Sequence, residues 1–251
     1  MAHDGQTITA AILVIGDEIL SGRTKDKNIG YIAEYLTAIG IDLREVRVVP
    51  DIEAEIVAAV NALRSRFTYL FTTGGIGPTH DDITADCIAK AFGVKIDIDE
   101  RAINVMLERY KREDLNPARL RMARIPSGAD LIANPISKAP GFMLGNVIVM
   151  AGVPNIMQAM LDDVSGRLKT GQKMIARTID AAGLPEGRYA ASLGELALRH
   201  TAVSIGSYPS FQAGGFRNQI VVRGKEEAAL ERAVSEVGAM IARLQADNAP
   251  I

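Results

Sequence analysis

The sequence predicts an α/β protein, with a mostly parallel sheet covered by helices on both faces and a small α+β second domain behind it. Three observations predict this. Over the first two thirds of the chain, short apolar runs alternate with helical patterns, as they do where strands are joined by crossover helices. A glycine-rich turn separates a strand-like run from a helix-like one. A chain of 251 residues is long enough to bury most of its surface in one large domain plus a small one.

Ala10 to Ile15 reads as the first strand. Lys27 to Ile39 reads as a helix with Ile29, Ile32, Ala33, Leu36 and Ile39 on its inner side, stopped by Gly40. Ile41 to Val49 is a second strand, and Asp51 stands where it could cap a helix from Ile52 to Arg66, whose Ile56, Val60 and Leu63 repeat at helical spacing. Tyr69 to Thr73, short, aromatic and β-branched, is a third strand. Ala85 to Phe92 is a helix with Ile88, Ala89 and Phe92 on one face and Gly93 at its end. Val94 to Ile98 and a helix from Asp99 to Lys111 follow, then the basic segment Arg119 to Arg124, either a wall for an anionic ligand or a solvated helix face. Val147 to Met150 is another buried strand, and Pro154 to Leu168 a helix with proline in its first turn.

The first domain spans residues 1–169 in this reading and the second 170–251. In the second, a strand at Met174 to Ile179, a helix at Tyr189 to Arg199, strands at Ala202 to Ser207 and Gln219 to Arg223, and a long helix from Glu226 to Leu244 give the order β-α-β-β-α.

The chemistry is concentrated in Thr72-Thr73-Gly74-Gly75-Ile76-Gly77-Pro78-Thr79-His80-Asp81-Asp82-Ile83-Thr84. Its glycines let backbone approach a ligand with no Cβ in the way, and the following helix start offers N–H groups to an anion. Carboxylates beside a phosphate would repel it, so Asp81 and Asp82 are better suited to hold a hard divalent cation, such as magnesium bridging to phosphate oxygens. The other reading is structural, since such turns carry Gly for geometry and Asp or Thr for capping. His80, alone in a loop, reads as solvated.

The net charge of −2 is nearly balanced, with Lys and Arg spread along the chain, which argues against nucleic acid as a partner. A single cysteine, Cys87, excludes an internal disulfide framework and a multi-cysteine zinc site, and its apolar helix makes it a packing residue. The chain starts with His3 and Asp4 rather than basic residues, and the apolar run Ile8 to Ile15 is too short to span a bilayer, so no membrane partner and a cytoplasmic location are expected. Nucleotide P-loop, Gly-x-Gly-x-x-Gly, His-Glu-x-x-His and Gly-x-Ser-x-Gly patterns are all absent, which turns the reading from covalent catalysis toward metal-assisted displacement at phosphorus.

Gly-Gly-Ile-Gly-Pro-Thr-x-Asp-Asp-x-Thr at 74–84 resembles the signature of the molybdenum-cofactor biosynthesis domain, shared by molybdopterin-binding enzymes, the competence/damage-inducible protein A (CinA) family and the first domain of FAD synthases. Gly16-Asp17-Glu18-Ile19-Leu20-Ser21-Gly22 followed by Asn28, Val48-Val49-Pro50-Asp51, Asn134-Pro135 with Ala139-Pro140-Gly141-Phe142, and Gly152-Val153-Pro154 with Met157 resemble four further motifs of that family, in order. Five agreeing motifs over residues 8 to 165 are far more specific than any one. The Gly206-Ser207-Tyr208-Pro209-Ser210 turn resembles one in the second domain of CinA-like proteins and FAD synthases. Two departures stand out: Ser137-Lys138 displaces the family's glycine before Ala-Pro-Gly-Phe, and Met150-Ala151-Gly152 replaces Leu-Pro-Gly.

The resemblance implies adenylyl transfer to molybdopterin, in which residues matching Asp82 and Asp51 act, or metal-dependent cleavage of nucleotide pyrophosphates such as ADP-ribose or FAD. It implies a divalent cation (Mg or Co), molybdopterin as an alternative ligand, a small nucleotide or pterin phosphate as partner, and a homo-oligomer, dimer or trimer. Asp82 is the expected first metal ligand, with Asp81 or Asp51 completing the set, and Gly74, Gly75 and Thr79 are expected at phosphate oxygens. Gly16, Asp17, Glu18, Ser21, Thr73, Gly77, Pro140 and Gly141 complete the expected ligand-binding set. Neither the deamidase domain of CinA proteins nor the reductase-like domain that makes FAD is recognised in these residues, so neither activity is expected of them. A binding module that has kept the site and lost the chemistry is the other functional class.

Overall fold

The computed structural model describes residues 7–212 and 215–247; His3 and Asp4 lie outside them. Its contacts divide the chain into two units, one up to Gly171 and one from Gln172. In chain order the first unit runs β1 (Thr9–Ile15), α1 (Asp17–Leu20), α2 (Asn28–Ala38), β2 (Asp42–Val49), α3 (Glu53–Arg64), β3 (Tyr69–Thr73), α4 (Thr84–Phe92), β4 (Ile96–Ile98) and α5 (Glu100–Met106). It continues through α6 (Pro117–Arg121), β5 (Arg124–Pro126), β6 (Asp130–Ile132), β7 (Gly141–Leu144), β8 (Val147–Met150) and α7 (Pro154–Ser165).

The sheet has six strands in the order β2-β1-β3-β8-β7-β6. β1 is parallel to both β2 and β3, and β3 is parallel to β8, while β7 runs antiparallel to β8 and β6. The fold class read from the sequence is therefore the one observed, with an antiparallel pair added at one edge. Alternate residues of the central strands feed two cores. Leu13, Ile15 and Leu70 pack with Ile56, Val60 and Leu63 of α3 and Ile88 of α4, while Ile12, Val14 and Phe71 pack with Ile32 and Leu36 of α2 and Met157 and Leu161 of α7. β1 and β3 can be this apolar only because both of their faces are covered.

Three local expectations are corrected. Asp51 does not cap α3: Ile52 holds the N-cap position and no side chain caps it, because the Asp51 carboxylate is turned toward the amide of Asp17. The helix expected to Lys111 ends at Met106, where the amides of Glu108 and Arg109 bond three residues back and tighten the chain into turns. The basic segment is no continuous helix face: its first part is the short helix α6, and Arg124–Pro126 pairs antiparallel with Ile96–Ile98, burying Ala123 and Ile125.

The second unit contains β9 (Ile175–Asp180), α8 (Ala190–Arg199), β10 (Val203–Tyr208), a small hairpin of β11 (Phe211–Gln212) and β12 (Gly215–Phe216), β13 (Gln219–Gly224) and α9 (Glu227–Ala246). Its sheet is antiparallel in the order β10-β13-β9. Ile220 and Val222 of β13 meet Leu193 and Leu196 of α8 and Leu230, Val237 and Ile241 of α9 in a separate core. Among the described residues no helix is long and apolar enough to cross a membrane.

Candidate functional site

After β1 the chain crosses one face of the sheet through α2 to reach β2; after β2 it crosses the other face through α3 and enters β3 on the opposite side of β1. The strand order reverses between β1 and β3, and open α/β sheets bind ligands outside the carboxyl ends of strands at such a point. Gly16 to Ser21 follow β1, Asp51 follows β2, and the glycine turn follows β3, so topology alone gathers three of the sequence motifs.

Two glycines make the gathering tight. Gly74 has φ 100°, and a Cβ there would lie 2.1 Å from the carbonyl oxygen of Ile15 at the end of β1. Gly75 has φ 67°, and its Cβ would lie 2.2 Å from Oγ1 of Thr84. Thr84, fully buried at the start of α4, donates through Oγ1 to the carbonyl of Gly74 at 3.0 Å and through its amide to that of Gly75 at 3.0 Å. Strand end, turn and helix start are thus fastened to one another.

The carboxylates sit on this frame. Oδ2 of Asp82 accepts from the amide of Thr79 at 2.8 Å and from its hydroxyl at 2.5 Å. Gly77 leaves room for that carboxylate, since a Cβ there would lie 2.7 Å from Oδ2. Asp81 is exposed, with a carboxylate oxygen 3.9 Å from His80 Nδ1. Asp51 Oδ2 accepts from the amide of Asp17 at 2.9 Å. Burial pushes the Asp51 carboxyl up, and the charges of Asp17, Glu18 and Asp81 push it the same way against the Asp17 amide. Among the described residues no three His, Cys, Asp or Glu side chains stand close enough to hold a metal by themselves. One or two carboxylates, completed by substrate phosphate oxygens and water, suit magnesium and its relatives. Asp82 lines the larger cavity and Asp81, next in the chain, lines none of the cavities; a cation drawn to them would also offset the negative charge gathered around Asp51.

Two adjoining cavities open over the strand ends. The larger, about 520 Å³, is lined by Gly74 to Pro78, Asp82, Asn134 and Met160. The smaller, about 210 Å³, is lined by Ile15, Asp26, Asn28, Thr73 and Pro154. Glu18, Thr24, Gly74, Gly152 and Pro154 line both. Asn134, buried, shapes the far wall: its amide nitrogen donates to Ser137 Oγ at 2.5 Å and the Ala139 carbonyl at 2.8 Å, and its oxygen accepts the amides of Ile136 and Ser137. Lys138 adopts φ 65° and pairs with Glu108 at 2.5 Å, so its charge is spent within the protein.

Of the residues expected from sequence, Glu18, Thr73, Gly74, Gly75, Gly77 and Asp82 line the two cavities. Asp17 and Asp51 are joined to each other beside them. A Cβ at Gly16 would come within 2.6 Å of both Glu18 carboxylate oxygens, so this glycine makes space for Glu18. Ser21 is exposed, with its amide closing the α1 turn on Asp17. Pro140 borders the turn near Arg121, whereas Gly141 is buried in β7 with space for a Cβ closed by the Val149 carbonyl at 2.4 Å. His80 is almost fully exposed, and Cys87 is fully buried, its thiol pushed up to about 12 by burial. Sequence reasoning left Arg121 undecided. It donates to the Asp82 carbonyl at 3.1 Å and keeps a buried Nε without a partner beside Gly75, Gly77 and Asp82. Arg124 beside it is spent on a two-pronged pair with Asp86, at 3.0 and 2.6 Å.

Comparison with known proteins agrees with this architecture. A family model described as a probable molybdopterin binding domain matches residues 11–170, and one described as the middle domain of FAD synthase matches residues 173–248. A protein of Pyrobaculum calidifontis is 32% identical over 211 residues, covering 80% of each chain. A CinA-like protein of Desulfosudis oleivorans is 39% identical over 189 residues, which is 70% of this chain but 46% of that one. The crystal structure of the protein CinA, of unknown function, from Thermoplasma acidophilum superposes with a TM-score of 0.61 at 36% identity, covering 64% of this chain and 98% of that one.

Proposed function

Since this chain belongs to the molybdopterin-binding domain family and is CinA-like, we propose that it is a divalent-metal-dependent nucleotide pyrophosphatase of the ADP-ribose or FAD type, working from the crevice at the ends of β1 and β3. The observation that carries the reading is the joining, at one switch point, of a glycine turn stripped of Cβ atoms with the oriented carboxylate of Asp82. A site for binding phosphate alone gains nothing from carboxylates at Asp81, Asp82 and Asp51, which would repel the ligand.

In this reading the amides of Gly75 to Gly77 approach the phosphate oxygens, that of Gly74 being held by the Met150 carbonyl at 3.2 Å, and Arg121, beside Gly75, Gly77 and Asp82, adds positive charge behind the turn. Asp81 and Asp82 hold the cation, which when bound withdraws charge from the phosphoryl oxygens. Asp51, with its raised proton affinity, takes a proton from the attacking water. The new bond joins that water's oxygen to phosphorus, the bridging P–O bond breaks, and two phosphate monoesters leave.

The test is release by the purified chain of AMP from ADP-ribose or FAD, or of pyrophosphate from ATP with molybdopterin, with magnesium, cobalt or no metal, and with Asp82→Asn as control. Metal-dependent AMP from ADP-ribose or FAD that the control abolishes is the expected result. Turnover only with molybdopterin would transfer the assignment to adenylyl chemistry, and ligand binding without turnover would leave a binding module.

A further inference from the structure

The sheet of the second unit ends on a strand without the usual guards. An edge strand presents unpaired amides and carbonyls, and chains blunt it with charge, proline, a bulge or brevity. β2 carries Arg44, Glu45 and Arg47 and shifts register at Arg44, β6 is three residues long, and β9 holds Asp180 and Arg177, the latter paired with Glu231 at 3.0 Å. β10, Val203–Tyr208, is six residues with no charge, and it pairs with β13 without a shift. Among the described residues no strand lies along its other side. Phe211–Gln212 and Gly215–Phe216 continue the same hairpin register past Pro209, so they lengthen the hairpin and leave that side open.

Two hydrogen bonds fix which groups face the open side. The Arg217 amide donates to the Ser210 carbonyl opposite it, in continuation of the β10–β13 register, and the Ala181 amide donates to the Asn218 carbonyl opposite it, in continuation of the β9–β13 register. Bonded pairs alternate along an antiparallel ladder, so Ser204, Gly206 and Tyr208 bond to β13 while the backbones of Ile205 and Ser207 point outward. The Val203 amide is turned back onto the His200 carbonyl at 3.1 Å, and the Val203 carbonyl points outward with them.

The helix above this edge is pared down on the same side. α8 packs on β10 and α9 on β13 and β9, and Arg199 of α8 pairs with Glu236 of α9 at 3.2 Å. At about 3.6 residues per turn, Ala190, Gly194 and Ala197 fall on the flank of α8 turned away from Arg199, over the free edge. A Cβ at Gly194 would meet nothing within 4 Å. Strands that pair lie only about 4.8 Å apart, whereas packed helices need about 8–10 Å between axes, so a sheet continued past β10 requires a flank this small on the helix above.

We propose that a second copy of this chain adds to this edge, β10 against β10 and antiparallel about a two-fold axis at Ile205, joining two three-stranded sheets into one. In that register Ile205 meets Ile205 of the second copy and Ser207 meets Val203, so outward amides face outward carbonyls. On the outer face Ser204 falls opposite Gly206 and Tyr208 opposite Ala202, each pair containing a small residue. The same symmetry sets one Ala190-Gly194-Ala197 flank against the other. The pairing does not rest on the nucleotide chemistry of the first unit.

Sedimentation velocity on the full chain, with amide hydrogen exchange read at high and low protein concentration, tests it. Ser204→Lys places like charges on diagonal neighbours across the axis, roughly 7–8 Å apart. Gly194→Glu puts a charge on the α8 flank, where the space is open and glutamate is the better helix former. Both variants should halve the mass of the native particle, and Ser204→Thr should keep it. At high concentration the Ile205 and Ser207 amides of the native chain should exchange at least about tenfold more slowly than those of the two charged variants. The Gly206 amide, bonded to β13, should stay protected in every chain, which separates lost pairing from lost folding. A native chain that is monomeric at high concentration, a mass unchanged by Gly194→Glu, or equal exchange of the Ile205 and Ser207 amides in native and charged chains would overturn the pairing.

Discussion

The amide and hydroxyl of Thr79 both donate to the same oxygen of Asp82, at 2.8 and 2.5 Å, which leaves Oδ1 as the oxygen turned to other business. Hydrogen bonds to a charged acceptor contribute about 1.5–3 kcal/mol, more than neutral ones. Thr79→Val removes the shorter of the two while the amide remains. Because Thr79 is exposed, the melting temperature should hardly change, whereas kcat/KM for metal-dependent AMP release should fall roughly tenfold. Thr79→Ser should keep native activity. Equal kcat/KM in all three chains would show that Asp82 needs no such orientation.

Gly74 admits no side chain. Its φ of 100° disfavours an L-residue by about 1–2 kcal/mol, and the 2.1 Å approach to the Ile15 carbonyl adds an overpacking cost of about 1–3 kcal/mol. Gly74→Ala should therefore lower the thermal midpoint by roughly 10 °C, read by circular dichroism. A loss of activity with an unchanged midpoint would mean that the turn can move away from β1 and that its geometry is not fixed by this contact.

Much of the fold was legible because it rests on local patterns. β1, β3 and β8 are buried on both faces and read as unbroken apolar runs, and α2, α3 and α7 repeat at helical spacing. What was missed is held by pairing partners far along the chain: Asp130–Ile132 and Gly141–Leu144 are three and four residues long, and Arg124–Pro126 is a strand only because Ile96–Ile98 lies opposite. The site divides in the same way. The glycine turn announces itself by composition, but nothing in sequence says that Asp51 turns away from its own helix to Asp17, or that Asn28 and Thr73 leave buried polar atoms unpaired. Those facts belong to the juxtaposition of β1, β2 and β3, which periodicity does not encode.

Arg121 ties α6 to the glycine turn through the Asp82 carbonyl and keeps Nε unpaired on the same wall. Arg121→Met retains much of the apolar stem and removes both functions. Binding of a nucleoside diphosphate should weaken by about 1.5–3 kcal/mol, some ten- to a hundredfold, measured by calorimetry without metal. Arg121→Lys should recover the charge but not the fixed fork, giving an intermediate value. If the Met variant binds as the native chain does, Arg121 is a structural tie alone.

Asp51 allows a test by pH. A carboxyl raised in the folded state binds its proton more tightly there than in the unfolded chain, so its contribution to stability is fully present below the unfolded value and is lost as pH rises through the folded one. At pH 7 the ionised Asp51, partly desolvated and facing Asp17, Glu18 and Asp81, therefore opposes folding. Asp51→Asn removes the charge yet keeps an acceptor for the Asp17 amide. In chelator, the variant should melt above the native chain at pH 7, and the gap should close as pH falls toward the ordinary carboxyl value of 3.8. Added divalent cation should narrow the gap at pH 7, because it offsets the same repulsion in the native chain and has less charge to answer in the variant. A gap that is independent of pH would trace the effect to the hydrogen bond with Asp17 instead of the charge, and would remove the reason for giving Asp51 the proton.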